Sequence, residues 1–543
     1  MKLVQILQSA VVAVVACGAA VPQESSLPVI RLSFNKRYGR TYEESSPNRL
    51  RKRQDGTVEL DLKNRQNFYS VNLEVGTPSQ EVVVLLDTGS SDLWITGAGN
   101  PYCKASTRNA ELGEVTEDDL GSEIMSWITG GGVGTYGSQI PTATTTSANG
   151  GSSATIDCSE YGTFNKNNSR TFRSNESAFD ISYGDGSFAS GVWGTDDISV
   201  GGLNVSNVSI AVANETNSSV GVLGIGLAGL ESTYSSSQSS VSGDRRMYAN
   251  FPMVLKERGM IKKNVYSLYL NSPDASSGSI LFGAVDTSKY DGDLYTVPIL
   301  NQYKNQGVSA PLQFDVTLQG MGMKNGSSQT TFTTTPIPAL LDSGTTLAYF
   351  PQEVIELMAS ELDARYSNTI GYYVMPCPSS DDDTNIVFDF GGFHINGNLS
   401  DFILERQAGS CVLGVLPMSG DSAILGDLFL VNAYVVYDLE NYEISMAQAN
   451  YHNSSENIQV VSNSVPNAKA AAGYSSTYST SQSITSGGNI FTASSTLSGS
   501  ASNPASNSAS TSATRSSNVA APLLNTGSSS LLVSIFCALS FLL

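Results

Sequence analysis

The chain has 543 residues, 40% of them hydrophobic, which is long and apolar enough for two or more packed domains. Lys plus Arg total 29 against 49 Asp plus Glu, and the net charge of -20 disfavours nucleic acid as a partner. Only two histidines occur, His394 and His452, so zinc sites and histidine-based catalysis are disfavoured, no metal or cofactor is expected, and carboxylates are left to carry any chemistry.

Lys2, the apolar run Leu3 to Ala16 and the small residues Gly18, Ala19 and Ala20 have the order of a secretory signal, read as residues 1–20. Residues 21–53 read as a pro-segment ending in the basic cut site Arg51-Lys52-Arg53. Residues 1–53 hold nine Lys/Arg and three Asp/Glu, which leaves 20 basic against 46 acidic residues, net -26, in the remainder. A basic segment tethered to so acidic a body is expected to lie across an acidic cleft as an intramolecular inhibitor. A leader that is merely clipped is the plainer alternative.

From Gln54 to about Asn450 short Val/Ile/Leu/Tyr/Phe-rich runs alternate with Gly, Asn, Asp and Ser clusters, an all-β pattern. One exception is Glu353 to Tyr366, where Val354, Leu357, Met358 and Leu362 recur at helical spacing. The units expected are an N-terminal lobe at 54–260 carrying an acidic insertion at 104–157, a C-terminal lobe at 261–452, and a Ser/Thr-rich stalk at 453–518. Beyond about Val465 the composition collapses to Ser, Thr, Ala, Asn and Gly, which predicts an O-glycosylated segment without a core. The final 13 residues, Leu531 to Leu543, are apolar but shorter than the roughly 20 a spanning helix needs. With the small and polar residues before them they fit a GPI-attachment signal, 519–543, with Asn518 as acceptor and Ser517 or Asn525 as alternatives.

Secretion gives meaning to nine Asn-x-Ser/Thr sequons, at Asn167, Asn175, Asn204, Asn207, Asn214, Asn217, Asn325, Asn398 and Asn453, which predict solvent-facing positions. Once both ends are removed four cysteines remain, Cys103, Cys158, Cys377 and Cys411. They allow three connectivities, of which Cys103 with Cys158 and Cys377 with Cys411 is the simplest.

The chemistry lies in an internal echo. VVVLLDTGSSDLW, with Asp87, returns as IPALLDSGTTLAY, with Asp342, and each is followed by an apolar-apolar-Gly box at Leu223-Gly224 and Leu425-Gly426. Asp87 to Gly224 is 137 residues and Asp342 to Gly426 is 84, an excess of 53 that matches the 54 residues enclosed by Cys103 and Cys158. Two related lobes with one inserted loop follow. An Asp ending a fully apolar strand is held rigidly, and neighbouring Ser or Thr hydroxyls can donate to it. If the lobes pair about a pseudo-twofold axis the two carboxyls meet, share one proton and can activate a water.

The DTGSSDLW and DSGTT boxes, the YGDGS run and the ILGD box resemble those of a pepsin-type aspartic protease over roughly Tyr69 to Ala449. The short basic pro-segment, acidic loop, Ser/Thr stretch and GPI-type tail are similar to the fungal yapsins. This resemblance implies an all-β bilobal fold with a central cleft, acid-favoured hydrolysis of peptide bonds, and a preference for Lys or Arg. It also implies a catalytic pair at Asp87 and Asp342 supported by Ser90 and Thr345, a flap tyrosine at Tyr183 bonded to Trp94, and substrate contacts from Gly89, Gly184, Gly344 and Thr346. Asp185, two residues after Tyr183, is expected to reach a basic substrate side chain, with an Asp-Gly turn as the alternative role.

The insertion adds Glu111, Glu114, Glu117, Asp118, Asp119 and Glu123, a local field for basic peptides if it lies near the cleft. Lys104, Arg108 and Arg245-Arg246 are candidate processing points for a nicked two-chain form held by Cys103-Cys158; otherwise a monomer is expected. The function expected is a GPI-anchored endopeptidase of the plasma membrane or cell wall, where wall glucan is a further partner, processing or shedding proproteins or wall proteins at basic sites. An inactive wall glycoprotein using the same fold as a binding or spacer module is the alternative, against which both intact Asp boxes argue.

Overall fold

The computed structural model describes residues 29–38, 67–103, 156–184, 186–235, 247–407, 409–453 and 455–492. The signal, the basic cut site, nearly all of the insertion, Asp185, Arg245-Arg246 and Asn518 lie outside these residues. The first ten strands are β1 (Ile30–Tyr38), β2 (Asn67–Val75), β3 (Gln80–Asp87), β4 (Leu93–Thr96), β5 (Arg173–Ser182), β6 (Phe188–Val200), β7 (Leu203–Thr216), β8 (Gly221–Gly224), β9 (Val265–Tyr269) and β10 (Ser277–Phe282). Helix is scarce: α1 (Phe251–Glu257), α2 (Gln352–Glu361) and the single turn α3 (Asp427–Leu430) are the main α pieces among the described residues. The protein is mostly β and bilobal, as its motif echo implies.

Strand composition explains the layering. In β3 the pattern QEVVVLLD is buried from Val82 to Asp87, so both faces are covered and the strand is central. Its counterpart Ile337–Leu341 is buried at every position and is an inner strand, second in order, of a five-stranded sheet of the C-terminal lobe. In α2 Val354, Ile355, Met358 and Ala359 form one buried face, and the helix stops at Glu361, before the expected Tyr366, because Asp363 takes a positive φ of 48° and a strand starts at Arg365.

One sheet of fourteen strands joins the halves, and within it the order β9-β10-β1-β2-β3-β8-β4-β7-β6-β5 makes β1 the link between β10 and β2. β1 pairs antiparallel with β10 from Ile30↔Phe282 to Asn35↔Ser277 and with β2 from Asn35↔Ser70 to Tyr38↔Asn67. Leu32 and Phe34 are fully buried in a core cluster that runs through Tyr266 and Phe314 to Ile337 and Leu341. Each such side chain contributes on the order of 1.5–3 kcal/mol by burial. The described part of the expected pro-segment, residues 29–38, is therefore a strand of the sheet.

The stalk expected at 453–518 is corrected for 455–492, which packs as a strap on the C-terminal lobe. Ile458–Val460 pairs with the strand Ala284–Asp286, and Ala468–Ala470 pairs in parallel with Tyr290–Pro298, the sheet's edge. Val461, Ala471 and Ile490 are buried, and Ile490 lies against Gly320 and Gly322, where a side chain would collide with it. At the strap's start the buried Lys263 ammonium bonds Asp438 and donates to the Asn463 carbonyl at 2.7 Å. Isolated apolar residues are enough here because they fill existing edges and need no core of their own.

Cys103–Cys158 and Cys377–Cys411 form the two disulfides. Eight sequon asparagines are exposed, while Asn398 is half-buried and accepts from the Ser400 N–H at 2.9 Å.

Candidate active site

β3 delivers Asp87 beside Gly224 of the parallel strand β8, and Ile225 N donates to Asp87 O at 2.8 Å. The second copy repeats this: Leu341 pairs with Leu425, and Asp342 N donates to Leu425 O at 3.1 Å. The tight turn after each Asp then aims backbone and hydroxyl donors at its carboxyl. Gly89 N donates to Asp87 Oδ1 at 2.7 Å and Ser90 Oγ to Asp87 Oδ2. Gly344 N donates to Asp342 Oδ1 at 2.8 Å and Thr345 Oγ1 to Asp342 Oδ2 at 2.6 Å.

The two turns are tied across the lobes by residues that sequence reasoning passed over. Thr88 Oγ1 donates to Leu341 O at 3.0 Å and Ser343 Oγ to Leu86 O at 3.0 Å, while Ser343 N donates to Thr88 Oγ1 at 2.9 Å. The available signal was the hydroxyl residue directly after each Asp of the echo. Gly89 is required by approach: a Cβ there would stand 2.5 Å from Asp342 Oδ1.

Both carboxyls are fully buried, and each lies within the other's electrostatic reach. Burial and the Asp342 charge push Asp87 well above the usual carboxylate range, against the donors from Ser90 and Gly89. Burial also raises Asp342, against Thr345 and Gly344. Two carboxyls this close hold one proton between them, so the pair offers an ionised oxygen as base and a protonated one as acid at the same time.

Between β5 and β6 the hairpin carries Tyr183, whose N–H donates to Ser187 O at 2.9 Å, and Gly186 takes a positive φ of 86° at its tip. Trp94 Nε1 donates to Tyr183 Oη at 2.6 Å, which pins the buried phenol to the Asp87 lobe. Gly184 is exposed at the hairpin tip; Thr346 is buried, and its carbonyl accepts from Leu428 N at 3.1 Å.

A second buried acid cluster was also missed in sequence. Asp92 accepts from Tyr248 Oη at 2.7 Å and Ser232 N at 2.9 Å, and the fully buried Glu231 accepts from Tyr248 N at 2.7 Å. Burial, with the Asp92 charge adding to it, pushes Glu231 up to about 9.

The family model for eukaryotic aspartyl proteases matches residues 68–449 of this chain. Aspartic proteinase 3 of Saccharomyces cerevisiae is 54% identical over 498 residues, covering 87% of this chain and 86% of that protein. Aspartic proteinase yapsin-3 of the same yeast is 48% identical over 452 residues, covering 83% of this chain and 79% of that protein. Secreted aspartic protease 9 of Candida albicans is 35% identical over 483 residues, with 79% and 86% covered.

Proposed function

This chain belongs to the eukaryotic aspartyl protease family and is an aspartic endopeptidase of the yapsin type, and from that premise we propose that it is a GPI-anchored surface enzyme cutting at Lys or Arg. Its substrates in this reading are proproteins or cell-wall proteins. The observation that carries the reading is the pair of mirrored turns that bring Asp87 and Asp342 together in one hydrogen-bonded, buried site.

Asp87 and Asp342 act as one acid–base unit. The ionised carboxyl takes a proton from water as its oxygen attacks the scissile carbonyl carbon, and the protonated carboxyl gives its proton to the carbonyl oxygen. The resulting diol collapses: one of its hydroxyls returns a proton to the second carboxyl as the C–N bond breaks, and the proton held by the first carboxyl passes to the leaving nitrogen, which regenerates the singly protonated pair. Ser90 and Thr345 hold the carboxyls in plane, and closure of the Tyr183 hairpin excludes water.

Basic specificity is supported by the acidity of the chain beyond residue 53 and by Asp185, two residues from Tyr183. Surface anchoring is supported by the signal-like leader, the short apolar tail preceded by small residues, and the secreted relative. The segment 21–53 keeps the enzyme latent until Arg51-Lys52-Arg53 is cut. The test compares fluorogenic peptides with Lys, Arg or Leu before the scissile bond at pH 4 to 6. Faster cleavage after Lys and Arg is expected, and Asp185→Thr lowers it more than cleavage after Leu. Equal rates on all three peptides contradict the specificity.

A further inference from the structure

Beside the Asp342 turn lies a cavity of about 390 Å³ whose walls include Lys36, Asp274, Thr346, Asp401, Asp427 and Leu428. Asp427 is 3% exposed, and neither of its carboxyl oxygens has a hydrogen-bond partner. A buried carboxyl in that state is costly unless a complementary group faces it. That group arrives from far off in sequence: Lys36, on β1, reaches in and donates from Nζ to Pro273 O at 2.5 Å. Its position is fixed by β1 itself, since Lys36 pairs with Tyr69 of β2 and its backbone N donates to Ser276 O at 2.7 Å.

We propose that this cavity is a binding site for a primary ammonium group, which Lys36 occupies in the chain that carries β1. The carboxyls come from three separate elements, Asp274 after β9, Asp401 ahead of the strand Ile403–Gln407, and Asp427 at the start of α3. A compact ammonium with three N–H directions suits such a spread better than the planar fork of a guanidinium, which wants two oxygens in one plane. The spacing does not suit a metal: among the described residues no group of three or more His, Cys, Asp or Glu could hold one. The charges that act on Lys36 are, in order, Asp427, Asp274 and Asp401, and they oppose the burial that lowers its pKa.

The site also meets the catalytic turn. Asp427 N donates to Thr345 O at 2.7 Å, and Thr345 Oγ1 donates to Asp342, so Thr345 links the Asp427 wall of the cavity to the reacting pair. Withdrawing β1 would empty the site and leave it open to an ammonium from another source.

Chemical rescue tests the site in the full chain. Lys36→Ala removes the group down to Cβ, and n-propylammonium replaces what is missing. The expected result is a lowered unfolding temperature at pH 7 that n-propylammonium, at on the order of tens of millimolar, restores by at least half. Tetramethylammonium, which has no N–H, and 1-propanol, which has no charge, leave it low, and Asp427→Asn in the Lys36→Ala chain removes the rescue. Equal restoration by tetramethylammonium, no restoration by any amine, or full rescue without Asp427 overturns the proposal. If Lys36→Ala does not fold, Lys36→Met fills the volume without the charge: unfolding below wild type supports the ammonium site, and equal stability contradicts it.

Discussion

Glu231 shows how a single side chain can set a pH limit for the molecule. It is fully buried beside Asp92, and burial raises its pKa from 4.5 to about 9. A buried acid with its folded pKa above its unfolded value keeps its proton in the fold. The unfolded chain releases that proton above about pH 4.5, so the native state is not penalised below that pH and loses stability as pH rises toward about 9. The slope is at most about 1.4 kcal/mol per pH unit. Thermal unfolding from pH 5 to pH 8 should therefore show a steeper fall for wild type than for Glu231→Gln, which keeps the shape and has no proton to lose. Parallel curves would remove Glu231 as the cause. The same sign applies to Asp92, also raised by burial, so this region favours an acidic working range on its own account.

At the scale of elements, the strap is where strands and composition part company. Ile490 is 2% exposed and packs on Gly320 and Gly322, with Ile490 N donating to Thr331 Oγ1 at 3.3 Å and its carbonyl 3.1 Å from His394 Nε2. Ile490→Ala should cost about 2–4 kcal/mol, the range for a truncated buried aliphatic, and denaturant unfolding would read it as a lower midpoint with unchanged slope. A change below a few tenths of a kcal/mol would mean that the strap end is not held. None of this was legible from Ser, Thr, Ala and Asn content, because the strap borrows its partners from finished sheet edges. The catalytic strands were legible for the opposite reason: continuous apolar runs ending in Asp-Ser/Thr-Gly occur twice, and each run specifies its own burial. Thr88 and Ser343 stood in that same echo, but their partners are the other lobe's carbonyls, which only the assembled pair supplies. Lys36 and Asp427 lie nearly four hundred residues apart, and no local pattern joins them.

For the whole molecule, the arrangement of the lobes is what turns two ordinary buried aspartates into one unit. A single sheet crosses from lobe to lobe through β1, and the paired turns at Thr88 and Ser343 close the contact above it. Charge follows the same division: the basic leader supplies the strand that bridges β10 and β2, while the remainder carries net -26. Asp87 and Asp342 act together, each as one half of a single acid–base pair. The measurement that tests it most directly is hydrolysis of a Lys-containing fluorogenic peptide by wild type, Asp87→Asn and Asp342→Asn across pH 3 to 7, with thermal unfolding to show that each variant is folded. The prediction is an acid optimum for wild type and a loss of at least about 100-fold in kcat for either variant, since each removes one half of a shared acid–base pair. A folded variant that keeps near wild-type hydrolysis would contradict the account.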